Sequence, residues 1–352
     1  MLKNFRFLTS GESHGKCLTG IIEGVPAGFE IDINKINTEL QKRQSGIGRG
    51  KRMQIEFDEV EIKSGIRFGK TTAAPICLEI KNRDFENWKE ILSVFKEDKN
   101  SEKSFTSPRP GHADFAGKIK YNFDDLRDVL ERASARKTAM NVAIGSIAKQ
   151  ILEVFDITSS VEILSVHSSK DFEKEIISAK EKGDSVGGKF KVVFKNVPVG
   201  LGSYVQWDRK LDGVIAQAVM SCPAVKSVEI GLGCDYEKFY GSEVHDELFY
   251  DGGYKHKTNN AGGIEGGMTN GEDIVVTAVM KPIPTIKNAL NTFDFKDNSS
   301  VKAHFERSDT CAIEACSVIV DNMIACVILD AFLDKFGKDS KREIELNYGQ
   351  KA

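Results

Sequence analysis

Residues 317–333, SVIVDNMIACVILDAFL, form the longest apolar stretch of the chain and constrain its fold more than any other feature. Asp321, Asn322 and Asp330 interrupt the stretch, so it reads as a mostly buried helix rather than a membrane span. That helix starts after RSDTC and ends near Gly337. It needs a substantial core around it, and a chain of 352 residues can bury one without disulfide staples. A second long helix is expected from about Ser134 to Phe155. Met140, Ile144, Ile147, Ile151 and Phe155 keep one face of it apolar, and Ser134 can serve as N-cap. Ile33, Ile36 and Leu40 predict a helix over 33–44, and helical runs also cover 171–183 and 209–221. Strands are expected through Ile21–Ile22 and at 54–62, 75–80, 189–194, 225–231 and 273–280. These elements alternate irregularly, with no linker, composition shift or short repeat. The expectation is an α+β fold in one domain over 1–352, not a doubly wound sheet.

Charge narrows the function classes. The net charge is −3, which gives no global signature for nucleic acid or a membrane surface. The seven cysteines include no C-x-x-C pair and no zinc spacing, so no metal site is expected and reduced cytoplasmic thiols are. The first residues hold no long apolar core of a signal peptide, which again points to the cytoplasm. Residues 96–104, KEDKNSEKS, read as a solvated loop.

Glycine-rich patterns need sorting next. SGIRFGKTT approaches a P-loop, but Gly65 and Gly69 enclose three residues where four are needed. GIGRG (46–50) and GGIEGGMTNG (262–271) lack the dinucleotide fingerprint. Gly11-Glu12-Ser13-His14-Gly15 satisfies G-x-S-x-G, the nucleophile elbow of serine hydrolases. An elbow joins a strand to a helix deep inside a sheet, whereas this pentapeptide lies near the N-terminus and precedes a strand-like run. Three readings stay open at this point: a Ser13 nucleophile, a tight turn without chemistry, or a loop that presents His14.

Three arginine-bearing turns favour the last reading. QKRQSGIGRGKRM (41–53) sets Arg43, Arg49 and Arg52 around three glycines, which let guanidinium groups close on a phosphate or carboxylate. ERASARK (131–137) brings Arg132, Ser134 and Arg136 to a helix start, where free N–H groups favour anions. ERSDTC (306–311) adds Arg307 and Asp309. In an acidic protein these clusters suggest one pocket for a small polyanion. Of six histidines, His14 and His112 stand on Gly-flanked rigid turns, and histidine suits proton delivery near neutral pH. A leaving phosphate needs both positive charge and a nearby acid.

Together these segments resemble the chorismate synthase family. GESHGKCLTGIIEGVP (11–26), ERASARKTAMNVAIGSI (131–147) and RSDTCAIEA (307–315) match its N-terminal, central and C-terminal signatures. KRQSGIGRGKRM, RPGHAD, PAVKSVEIG, HDE, NNAGGIEGGMTNG and KPIPT stand between them in the family's order, so the resemblance spans nearly the whole chain. It implies a β-α-β sandwich of α+β type, usually a homotetramer. It also implies a 1,4-anti elimination that converts 5-enolpyruvylshikimate 3-phosphate to chorismate and phosphate, with reduced FMN and no net redox change.

By motif position, the resemblance implies that His14 protonates the departing phosphate and His112 protonates reduced flavin near N1. Asp309 would help move the substrate proton near flavin N5, with Ser13 and Ser134 in hydrogen-bond relays. Arg43, Arg49, Arg136 and Arg307 would line the substrate site. Arg132, Ala133, Ser134, Pro223, Ala224, Gly266, Lys281, Pro282, Ile283, Pro284, Thr285 and Arg307 would contact FMN. Arg43 and Arg49 also match positions assigned to NADPH, which the resemblance admits as reductant. No flavin-reductase region is apparent, so an external reductase is expected to supply reduced FMN. Gln44, Ile47, Asn260, Cys316 and Asp321 depart from the usual pattern without removing a proposed catalytic group. The competing classes are a Ser13 hydrolase and an RNA-binding protein using the basic loops. The negative charge and the lack of RNP-like aromatic runs oppose the latter.

Overall fold

The structure is a computed structural model and describes residues 2–50, 56–306 and 308–349. Two four-stranded antiparallel sheets flank a layer of helices. The first sheet contains β1 (Arg6–Ser10), β2 (Cys17–Glu23), β3 (Val60–Ser64) and β4 (Ile76–Lys81), in the order β1-β2-β4-β3. The second contains β5 (Thr158–Val166), β6 (Gly188–Lys195), β7 (Val225–Ile230) and β8 (Ile274–Met280), in the order β5-β6-β8-β7. Strand side chains alternate between faces. Ile76, Leu78 and Ile80 of β4 are therefore buried, while Lys81 faces out. In β8 Ile274, Val276, Ala278 and Met280 turn inward in the same rhythm.

Among the described residues, the α-helices of more than four residues are α1 (Ile33–Gln44), α2 (Asp114–Tyr121), α3 (Arg127–Ala133), α4 (Thr138–Glu153), α5 (Phe172–Glu181), α6 (Leu211–Met220), α7 (Ile313–Phe336) and α8 (Lys341–Gly349). The longest apolar stretch forms α7, as expected. By length and composition α7 could cross a membrane, yet 83% of its most apolar window is buried within this fold. A helix apolar on all sides needs cover on all sides. Here α4 and α6 pack along α7, and β5 and β6 close its remaining face. On the opposite side α4 lies against β2 and β4. The approach is close: a Cβ on Gly145 of α4 would sit 2.4 Å from Asn322 of α7, and one on Gly20 of β2 would sit 2.6 Å from the Met140 sulfur. Each fully buried Leu, Ile or Phe in this layer contributes about 1.5–3 kcal/mol.

One polar cluster lies inside the helical layer. Lys149 Nζ is 2.7 Å from Asp321 Oδ2 and 3.1 Å from Glu39 Oε2, and Asn322 Nδ2 donates to the same Glu39 oxygen at 2.9 Å. Burial alone would raise the Glu39 pKa, but Lys149, Lys42 and Asn322 together hold it at about 2. Asp321, one of the departures noted above, is thereby paired inside the core.

Two expectations change. The helix from Ser134 is interrupted: α3 ends at Ala133, a 3₁₀ turn spans Ala135–Lys137, and α4 begins at Thr138. Ser134 caps the 3₁₀ turn by accepting the Arg136 N–H. The strand at 54–62 begins only at Val60. Gln54 and Ile55 lie outside the described residues, and 56–59 has no strand pairing. SGIRFGKTT forms a tight hairpin with Phe68 and Gly69 at positive φ (50° and 77°), and Phe68 is fully in solvent at the tip, so this loop is not a phosphate cradle.

Candidate active site

The GESHG loop joins β1 to β2. Gly11 permits the turn: its φ is +104°, and a Cβ there would lie 2.4 Å from the Cys17 carbonyl oxygen. The Ser13 N–H donates to the Glu131 carbonyl at 2.9 Å, and Ser13 Oγ is 3.1 Å from Ser134 Oγ. His14 is buried. Its Nδ1 lies 2.8 Å from Glu131 Oε1, and its backbone N–H donates to Glu131 Oε2 at 2.8 Å. The imidazole stacks on Trp88, with ring centroids 3.9 Å apart and 18° between planes. Lys103 Nζ caps the indole at 3.6 Å. The setting is strand–turn–strand, and the adjacent imidazole turns to Glu131 instead of Ser13. Neither feature suits a nucleophile elbow.

Beside this loop two arginines share one carboxylate. Asp58 Oδ2 accepts from Arg43 Nη2 at 2.9 Å, and Asp58 Oδ1 accepts from Arg136 Nη1 at 2.6 Å. Burial alone would raise the Asp58 pKa, but Arg43 and Arg136 outweigh it and hold it low. Burial is also the main cause of the lowered Arg43 pKa. Arg136 Nε donates to Asn82 Oδ1 at 2.8 Å, and Asn82 Nδ2 donates to the Gly15 and Glu12 carbonyls at 2.6 and 3.2 Å. Gln44 fixes the 56–58 segment, donating to the Glu56 carbonyl at 2.6 Å and accepting the Asp58 N–H at 3.1 Å. Among the described residues, Arg43 Nε, Arg127 Nη1 and Arg136 Nη2 are buried and make no hydrogen bond.

His112 opens a third group. Its Nδ1 is 2.5 Å from Asp114 Oδ1, and Arg109 binds the same carboxylate through Nε at 2.7 Å and Nη2 at 2.9 Å. Burial would raise the Asp114 pKa, but His112 and Arg109 hold it well below the carboxylate range. Lys281 Nζ donates to the Gly111 carbonyl at 2.5 Å, and its N–H to the Ala224 carbonyl at 2.9 Å. Ala224 follows Pro223 in the left-handed region, at φ 69°. Arg109 Nη1 reaches Thr285 Oγ1 at 3.3 Å, and Ser308 Oγ donates to the Thr285 carbonyl at 2.6 Å. Next to Ser308, Asp309 takes Arg49 Nη1 at 3.0 Å and the Gly50 N–H at 2.6 Å. Phe105 connects this group to the first: Arg109 and Arg127 approach its ring at 5.8 and 5.1 Å, and His304 stacks on it at 4.3 Å.

The remaining expected positions are placed as follows. Arg132 donates to the Gly11 and Thr9 carbonyls and to Thr9 Oγ1, next to Ala133 at the end of α3. Pro282 and Pro284 flank Ile283, whose carbonyl accepts from Ser185 Oγ at 2.7 Å. Pro284 borders Gly111. Gly266 lies in a short hairpin turn, anchored where the neighbouring Gly267 carbonyl takes the Leu211 N–H at 2.9 Å; no hydrogen bond among the described residues joins it to the groups above. The Ile47 N–H donates to Glu314 at 3.2 Å, and Asn260 donates to the Val244 carbonyl at 2.8 Å. Cys316 is buried. Arg307, Lys51 and Arg52 lie outside the described residues. The sequence reading missed Glu131, Asp58, Asn82, Trp88 and Asp114; Arg109 stands with His112 on a turn that two prolines and a glycine fix. Glu131 and Asp114 lie inside motifs already singled out, ERASARK and RPGHAD; Asp58 and Asn82 carry no local signal.

Residues 5–333 match the family model described as chorismate synthase. The chain is 51% identical over 348 residues to "Chorismate synthase" of Thermoanaerobacter pseudethanolicus, covering 97% of each chain. It is 47% identical over 386 residues to "Chorismate synthase" of Aquifex aeolicus, covering 99% of this chain and 97% of the other. A solved structure described as "Crystal Structure of Chorismate Synthase" superposes with a TM-score of 0.78 at 38% identity, covering 99% of this chain and 97% of that one.

Proposed function

Because the chain belongs to the chorismate synthase family, and is thus a carbon–oxygen lyase of aromatic amino acid biosynthesis, we propose that the site described above performs the family's elimination on 5-enolpyruvylshikimate 3-phosphate. One observation carries this reading. A buried imidazole held by a carboxylate adjoins buried guanidinium groups with spare donors: Arg43 Nε makes no hydrogen bond, and Arg127 Nη1 and Arg136 Nη2 meet carboxylates only at 3.6 and 3.7 Å. The substrate has two carboxylates and a phosphate. Buried donors without partners are costly, and anionic oxygens relieve that cost. Charge-assisted bonds worth about 1.5–3 kcal/mol each bring a few such contacts to micromolar affinity.

Arg43 and Arg136 receive anionic oxygens with their remaining donors, and Arg49 holds Asp309 in place. Arg307 belongs to the same set by motif position. His14 gives its proton to the departing phosphate. Asp309 helps move the C6 proton away from the substrate, and the Ser13–Ser134 hydroxyl pair serves as a hydrogen-bond relay. The donor set also suits reduced FMN. Burial first, and then Lys226, lower the Lys281 pKa, and an anion beside the two cations would offset their repulsion. Arg132, Ala133, Ser134, Pro223, Ala224, Gly266 and the Lys281–Thr285 segment would hold the flavin, with His112 supplying a proton at its N1 edge. When bound, reduced FMN would lend electron density as phosphate leaves and regain it as the proton departs.

The same proposal covers one catalytic unit over 1–352, a homotetramer, the cytoplasm, and reduction of FMN by an external reductase or by NADPH at Arg43 and Arg49. An anaerobic assay with reduced FMN and enolpyruvylshikimate phosphate tests the function. Chorismate and phosphate should appear together, at one to one. No chorismate under reducing conditions refutes the proposal.

A further inference from the structure

We infer that Glu131 is a positioning residue that fixes the tautomer of His14, leaving Nε2 as the nitrogen that meets the phosphate. The inference rests on the role given to His14 above. Both carboxylate oxygens of Glu131 are taken by the same residue: Oε1 faces the ring Nδ1 at 2.8 Å, and Oε2 accepts the His14 backbone N–H at 2.8 Å. An ionised carboxylate only accepts hydrogen bonds, so Nδ1 must be the donor. Glu131 is 4% exposed, which keeps water from replacing it. Arg127 Nη1 lies 3.6 Å from Oε1 and balances its charge. Trp88 holds the ring plane from its face, and a 180° flip within that plane would put Cδ2, not Nε2, opposite Glu131 and lose the hydrogen bond.

This arrangement decides which proton moves. In the imidazolium both nitrogens carry hydrogen, and the Nδ1 proton stays on Nδ1, donated to Glu131. The Nε2 proton is transferred to a phosphate oxygen as the C–O bond breaks. His14 is left neutral, with its lone pair on Nε2, and Glu131 remains a carboxylate throughout. A side chain that orients the catalytic acid in this way acts through that acid and need not touch substrate.

The test is nitrogen-15 NMR of the histidine-labelled full-length protein at a pH where His14 is neutral. Wild type should show a protonated Nδ1 and an unprotonated Nε2. A protonated Nε2 there overturns the inference, whatever the variants do. Glu131→Gln keeps the shape but has one acceptor oxygen for two donors, so the Nδ1-protonated signature should weaken. Its kcat should fall about a hundredfold, with KM changing far less. Glu131→Asp should recover part of both. A fall in kcat with the wild-type signature intact, or unchanged kcat, also overturns it. The NMR readout needs no substrate. A failed chorismate assay with an Nδ1-protonated His14 would therefore sink the functional proposal and leave the tautomer assignment standing.

Discussion

In the helical layer one lysine, Lys149, sits between two carboxylates; at the site one carboxylate, Asp58, sits between two arginines. Both clusters are buried and both bridge distant parts of the chain. They differ in what is left over. Among the described residues, the unbonded atoms at the first cluster are acceptors, Asp321 Oδ1 and Asn322 Oδ1. At the second they include guanidinium nitrogens, Arg43 Nε and Arg136 Nη2, the latter 3.7 Å from Glu56 Oε2. An excess of buried donors prepares a cavity for an anion, whereas an excess of buried acceptors does not. The same ion-pair chemistry thus serves packing in one place and recognition in the other.

The comparison can be broken most directly at the chemical end. His14→Ala should lower single-turnover chorismate formation by about 10²–10⁴-fold while flavin still binds. Unchanged turnover would remove His14 from the reaction. Asp58→Ala removes the carboxylate that two buried guanidiniums share, leaving Arg136 only Glu56 and Asn82, and should cost about 3–5 kcal/mol in urea unfolding. Added substrate or phosphate should restore part of that loss, since either can replace the carboxylate. Lys149→Met should cost a similar amount or slightly less, but no anion should rescue it and KM should stay put. Rescue of both variants, or of neither, would erase the distinction drawn here.

Acid should separate the clusters further. Glu39 has an ordinary value of 4.5 and a folded value of about 2. Its contribution to stability is therefore complete above the unfolded value and is lost as pH falls through the folded one. Urea midpoints should decline across that window in wild type and decline less in Glu39→Gln. The smallest effect belongs to Lys42→Ala. Its half-exposed ammonium reaches the buried Glu39 three residues away, and about 0.5 kcal/mol is expected.

Much of this was legible in the chain. The helix over 33–44 and the buried helix ending near Gly337 coincide with α1 and α7, because sustained periodicity and apolar length survive tertiary context. His14 and His112 stood out through the glycines around them. What stayed hidden was pairing across distance. Asp58 meets Arg136 over 78 residues, and nothing local in EFDEV distinguishes the residue that points inward. The 56–59 run reads as a strand because its residue types alternate. In the structure it forgoes ladder pairing and instead delivers the Glu56 and Asp58 side chains to the arginines. The short helix α3 was invisible for a related reason: it has no side-chain cap, and Glu131 and Arg127 serve the site from it.

Asn82 has one further consequence. Its carbonyl oxygen takes Arg136 Nε, while its amide nitrogen holds the Gly15 and Glu12 carbonyls at the two ends of the His14 turn. A carboxamide is planar and stiff, so its two arms move as one lever. Any displacement of the Arg136 guanidinium by an incoming anion tilts that lever and is delivered mechanically to the backbone that carries the imidazole.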